Sequence, residues 1–168
     1  MVADDRKMRE PPSSDNNYYM HHVELLLDSF HRFTGKRLVD PPDANRSMAD
    51  VAAEVFHAPF MLASHDTQAD PIFNFGNQCA LDLFEMNWHD FIKLPSRMSA
   101  EPMNREERAR LLETVSRQNF IDDYAGVRIS STGRRFHIPS ATVWNVVDRH
   151  GNYCGQAATF SKWRFLET

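Results

Sequence analysis

From Tyr18 onward the chain sets apolar residues three and four apart: Tyr19, Val23, Leu26, Leu27, Phe30 and Phe33. This spacing puts them on one face of a helix over residues 18–33, and Gly35, free to take positive φ, closes it. An apolar stripe of that size must cover something. Consecutive prolines in Asp40-Pro41-Pro42-Asp43 stop any helix and read as a linker. A second short helix starts at Ser47, with Asp50 three residues on as in a capping box and Val51, Ala52, Val55 and Phe56 as its apolar side. Residues 59–65 read as a strand. Ahead of all this, residues 1–17 are polar, carry Pro11-Pro12 and Ser13-Ser14, and predict a leader without fixed structure. The expected division is therefore leader 1–17, helix and linker 18–46, and a folded domain over 47–168.

The stretch DPIFNFGNQCALDLFEMNW, residues 70–88, organises the rest of the chain. Ile72, Phe73 and Phe75 suit a pleated strand; Gly76 breaks it; Asn77 can cap a helix carrying Ala80, Leu81, Leu83, Phe84 and Trp88 on its apolar side. Residues 89–94 fit one more helical turn closed by Pro95, and Asn104 can cap a helix Arg105–Gln118 whose stripe is Leu111, Leu112 and Val115. The last third alternates like strands. Residues 124–130 and 134–138 flank a Ser131-Thr132-Gly133 turn, and 141–147 and 153–160 flank a turn containing Gly151. Along the late strands Val143 and Val147 share one face, while Trp144 and Val146 share the other. A solvated face would be more polar, so both sides need a cover. The 18–33 helix, from this chain or a partner chain, is the expected cover for the outer side.

The order of elements, together with DPIFNFGNQCALDLFEMNWHDFIKLPSRMSAEP and IDDYAGVRISSTGRRFHIPSATVWNVVDRHGNYCGQAATF, resembles a PAS domain, and is similar in particular to the MEKHLA domain. The likeness runs over about residues 55–165. It implies an α+β fold: a PAS-like five-stranded antiparallel sheet with short helices on one face, to which the N-terminal helix is an extension. It also implies a sensory or regulatory role, including control of dimerisation.

Composition narrows the chemistry. A length of 168 residues suits one domain with a real core, and a net charge of −4 argues against a nucleic-acid binder, which needs a basic surface. Cys79 and Cys154 form no CxxC pair, which excludes a zinc knuckle and fits a reduced, cytoplasmic setting. No apolar run reaches the length of a membrane span. The eight histidines include a pair, His21-His22, but no HExxH pattern; His57, His65, His89 and His137 fall on separate elements, so no metal site is expected. Adjacent carboxylates, as in Glu106-Glu107 and Asp122-Asp123, mark solvated faces rather than a facing acid–base pair, and no GxSxG elbow or phosphate-cradling loop occurs. No enzyme is expected.

What remains is binding. PAS-like folds hold small molecules between helices and sheet in mostly apolar pockets with a few convergent polar groups. The candidate pocket residues are the rings Trp88, Phe136 and Trp144 and the polar groups Asn77, His89, Arg97, His137, Asn145 and Gln156. The cofactor is open: none, or a small molecule. A flavin adduct of the LOV type is not expected, because the region of the adduct cysteine reads IKLPSRMSAEP, with Arg97 near that position. The similar glutamine, Gln156, is shifted by one residue, which would turn it to the other face. The resulting expectation is a non-catalytic module that binds a small ligand or an unidentified signalling partner. It would associate as a homodimer through the N-terminal helix or the sheet face. A ligand-free interaction module and a small enzyme using His89 or His137 as base are the alternatives.

Overall fold

The computed structural model describes residues 10–167. Its centre is a six-stranded antiparallel sheet in the order β2-β1-β5-β4-β3, with the short β6 pairing on β4. The strands are β1 Met61–His65, β2 Phe73–Gly76, β3 Phe120–Ile129, β4 Arg135–Val147, β5 Tyr153–Phe160 and β6 Arg164–Phe165. The helices are α1 Met20–Thr34, α2 Met48–Phe56, α3 Gln78–Phe84, α4 Trp88–Phe91 and α5 Pro102–Gln118. The five-stranded sheet expected from sequence is present, with β6 added at one end.

Residues 134–138 and 141–147 form one strand rather than two. Pro139 and Ser140 fall where the β3–β4 register slips, since Tyr124 faces Ala141 while Gly126 faces Ile138. A bulge there spares the ladder the missing proline N–H and resets the alternation of faces. Several other boundaries differ: α1 begins at Met20 rather than Tyr18, β1 begins at Met61 rather than Pro59, and the helix expected to carry Trp88 ends at Phe84, with Glu85 left-handed and Asn87 capping α4. Strand β3 begins at Phe120, and α5 begins at Pro102, not after Asn104, with proline in the first turn where its absent N–H is harmless.

Both faces of the sheet are covered. On one side lie α3, α4 and α5. On the other, α1 buries Val23, Leu26 and Phe30. The Trp144 indole N–H donates to the Leu26 carbonyl at 3.2 Å and its ring meets Phe30 edge-on at 4.9 Å. Ser29 bonds both backbone groups of Val147, at 2.9 Å each. The outer cover therefore comes from the same chain. Ahead of α1, Ser13 caps a 3-10 turn over Ser14–Tyr19 and the Tyr19 hydroxyl donates to the Glu10 carbonyl. Residues 10–17 of the expected leader are thus a capped turn packed on the domain; residues 1–9 lie outside the described residues. Helix α2 starts at Ser47 with the capping box read from sequence.

Candidate functional site

Helix α5 meets the sheet through a thin apolar layer of Leu111, Val115 and Val143. Beside it remains a cavity of about 80 Å³. Its apolar wall includes Phe84, Leu112, Ile138, Val143 and Phe160, and its polar wall includes His65, Arg108, Tyr124, Arg128 and Gln156. An outer groove of about 410 Å³, which Arg97 and Arg105 also line, shares His65, Arg108, Leu112 and Gln156 with the cavity. These four side chains stand between the interior and the surface.

The polar wall follows from local geometry. His65 ends β1, opposite Gln156 of β5. Its Nδ1 lies 3.0 Å from the Asp66 carbonyl, which only accepts, so Nδ1 carries the proton and Nε2 presents a lone pair. That Nε2 is buried and has no hydrogen-bond partner among the described residues. Burial pushes the His65 pKa down; the hydrogen bond to the Asp66 carbonyl opposes this, the Arg108 charge adds to it, and the Asp66 charge and the Gln156 side chain oppose it more weakly. The Gln156 amide N–H groups reach Leu112 O, Ser116 Oγ and Asn145 Oδ1 at 3.1, 3.2 and 3.1 Å, so its carbonyl oxygen is the group it offers towards the His65 ring.

Arg108 is 8% exposed, and one of its Nη atoms donates to the buried Ser96 hydroxyl. No carboxylate lies within 4 Å of its guanidinium among the described residues. Burial, then the charge of Arg128, pull its pKa down to about 10, against smaller opposing effects of Tyr124 and Asp70. It remains a cation at neutral pH. Arg128 bonds the Tyr124 hydroxyl at 3.3 Å and the Val127 carbonyl at 2.8 Å.

Of the residues singled out from sequence, Gln156 lines the cavity and Arg97 lines the outer groove, where it pairs with Asp70 at 3.1 Å. Gln156 faces the helices, contrary to the expected turn to the other side. It pairs in register with Asn145 and His65, and the β4–β5 ladder slips only beyond it, between Val146 and Val147. Asn145 is one step back: its amide donates to Val115 O at 3.0 Å and ties the end of α5 to the sheet. The others serve elsewhere. Asn77 caps α3 and is satisfied on both sides, accepting from the Leu62 and Ala80 N–H groups and donating to the Val55 and Phe60 carbonyls. Trp88 stacks on Tyr19, Trp144 packs under α1, and Phe136 meets Phe84 edge-on in the core. His89 is exposed, and His137 is half-buried opposite Arg164. Arg108, His65, Tyr124 and Arg128 complete the polar wall without having been singled out for the pocket. The signal for Arg108 was available: it lies three, four and seven residues before Leu111, Leu112 and Val115, on the buried stripe of α5.

Among the described residues no three His, Cys, Asp or Glu side chains come together to hold a metal ion, and no helix is long and apolar enough to cross a membrane.

An antiparallel sheet in this strand order, with short helices over a small cavity, is a PAS-class fold. It is similar to the PAS domain of a Colwellia psychrerythraea protein, with a TM-score of 0.58 and 14% identity over 69% of this chain and 93% of that one. It is also similar to the light-state dimer of the fungal blue-light photoreceptor Vivid, with a TM-score of 0.54 and 14% identity over 84% and 91% of the two chains. Within that class, the MEKHLA domain matches residues 20–165, and the chain belongs to the MEKHLA domain family. The match takes in α1, so the N-terminal helix is inside the domain's span. Among curated relatives, the homeobox-leucine zipper protein HOX29 of Oryza sativa subsp. indica is 27% identical over 143 residues, 84% of this chain and 16% of that protein. ATHB-9 of Arabidopsis thaliana, also a homeobox-leucine zipper protein, is 30% identical over 107 residues, 63% and 13% of the two chains. This chain thus spans about a sixth or less of the length of these relatives.

Proposed function

We propose that this domain is a non-catalytic sensory module that binds a small molecule in the cavity under α5 and passes the signal on by protein association in the cytoplasm. The observation that carries the reading is the polar wall: a buried arginine without a counter-ion and a buried histidine nitrogen without a partner among the described residues, and a glutamine carbonyl, border one apolar cavity. A core that served only for packing would hold such groups at a net loss, since each buried polar group without a partner costs on the order of 1–3 kcal/mol. This weighs against the ligand-free interaction module. The size of the cavity favours a ligand of few atoms, because sites for drug-sized molecules occupy roughly 300–1,000 Å³. Neither Cys79 nor Cys154 lines it, so a flavin–cysteine adduct has no thiol to form on.

The relatives' place among homeobox-leucine zipper proteins supports a regulatory role through association. Because α1 covers the outer sheet face within one chain, we place the homodimer contact on the exposed side of α1 rather than on the bare sheet. Native mass spectrometry with an absorption spectrum of freshly purified protein, followed by thermal shift against small-fragment mixtures, tests the reading. The expected result is no visible band, a dimer mass, and a melting temperature that rises with a subset of fragments. A protein whose melting temperature no fragment moves would overturn the ligand reading.

A further inference from the structure

We propose that the cavity recognises a short hydroxycarboxylate: a carboxylate held by Arg108, a hydroxyl donated to His65 Nε2 and Gln156 Oε1, and a short apolar chain against Leu112, Ile138 and Val143. This rests on reading the cavity as a ligand site and adds the class of ligand.

Three features combine. The guanidinium of Arg108 is buried, and apart from its bond to Ser96 it makes no hydrogen bond to another described residue. A second cation, Arg128, lines the same cavity, and among the described residues no aspartate or glutamate does. Two guanidiniums without a lining carboxylate favour an anion, and the planar guanidinium matches a carboxylate with paired, charge-assisted bonds. The acidic side chains nearby, Asp66, Asp70 and Glu113, line only the outer groove; Asp70 is already paired with Arg97, and Asp66 accepts from Gln68.

The neighbouring polar groups ask for something different. His65 Nε2 is an acceptor because Nδ1–H is committed to the Asp66 carbonyl, and Gln156 offers only its carbonyl because its amide hydrogens are committed to α5 and Asn145. Two acceptors facing one space require a donor between them. A hydroxyl meets this need without charge, whereas an ammonium would be repelled by the two arginines. Arginine for the carboxylate and two acceptors for the hydroxyl define the class, and a volume of about 80 Å³ limits it to a few non-hydrogen atoms.

The probes are lactate and glycolate, with propionate, which lacks the hydroxyl, and lactamide, which lacks the charge. Each is titrated into the 168-residue chain and followed by calorimetry and by the ¹⁵N signals of Arg108 Nε and the His65 ring. Lactate or glycolate is expected to bind about tenfold or more tightly than either control, since a site built for a polar group discriminates against the analogue without it. Arg108→Met is expected to fold with a melting temperature no lower than the parent, because it removes a buried cation without a counter-ion, and to abolish the preference for lactate over lactamide. Should that variant not fold, Arg128→Met and the parent's own titration decide.

Equal or tighter binding of lactamide overturns the carboxylate assignment. Lactate binding that survives Arg108→Met unchanged overturns the site. If all four probes fail at about 10 mM, where even a millimolar site is mostly filled, while neutral fragments still shift the His65 signals, the class is wrong and the ligand site stands. If neither probes nor fragments shift them, both readings fall.

Discussion

Gly155 holds its backbone at φ +130°, and a Cβ added there would fall on the carbonyl oxygen of His65. That conformation and that approach both require glycine. Gly155→Ala should therefore lower stability by about 3 kcal/mol or more in urea unfolding, combining backbone strain with a backbone clash. An unchanged midpoint would show that β5 can move away from β1. A second residue-scale effect concerns pH. The Ser64 hydroxyl donates to Asn74 Oδ1, so His22 Nε2, 3.0 Å from Ser64 Oγ, is the donor of that pair; His22 stands beside Phe75, and burial pushes its pKa down to about 4. The unfolded chain takes up this proton near pH 6.5, the folded one only near 4, so stability is lost as pH falls through that window, by at most about 3 kcal/mol. His65, shifted the same way, adds to the loss. His22→Gln keeps a donor for Ser64 and should flatten part of the slope in urea midpoints measured from pH 7 to pH 4. A slope identical to the parent's would mean that His22 does not carry it. Residues of these kinds differ in how far sequence reveals them. Asn77 was readable as a cap because the requirement is local, whereas the spacing that sets Arg108 on the buried stripe of α5 does not say that its charge faces a cavity.

At the scale of elements, the helices and most strands were legible from spacing alone: the α1 stripe, the Ser47–Asp50 capping box and the Gly76-Asn77 break all have local causes. What spacing missed were features decided by a neighbour. The bulge at Pro139-Ser140 joins two expected segments into β4, and Gln156 faces the cavity, held there by its bonds to α5. Rings were the least legible, since Trp88 and Trp144 have the same composition signal whether they line a pocket or fill a core. The two-faced burial of β4 did predict its cover. Removing residues 1–35 takes away the side chains over Trp144 and Val146, together with the hydrogen bonds to Trp144 and Val147. The truncated protein should bind a hydrophobic dye and run as higher oligomers in light-scattering chromatography, because a bare apolar sheet face invites association. A monodisperse product with the parent's melting temperature would mean that α1 contributes nothing to the core.

Across the whole molecule the sheet divides two unequal layers. On one side α1 buries Val23, Leu26 and Phe30 and is pinned by Ser29. On the other, α5 buries only Leu111 and Val115 of its apolar residues, with Arg108 beside them and a cavity beneath. One large buried side chain fewer is worth about 2 kcal/mol, and the orphan polar groups subtract further. The α5 layer should therefore open before the rest of the fold, in a local transition rather than by global unfolding. Native-state hydrogen exchange checks this directly: amides in the middle of α5 should exchange with an opening free energy about 2 kcal/mol or more below those in the middle of α1. A ligand in the cavity would bridge α5 to β1 and β5 through Arg108, His65 and Gln156, so saturating lactate should raise protection in α5 selectively and leave α1 near its original value. Equal protection of the two helices, rising together when ligand is added, would show one cooperative unit. The layer that senses and the layer that packs would then not be separable. With the expected difference, ligand binding becomes an ordering of α5 against a fixed sheet, and α1 remains the stable surface on which the proposed association would be built.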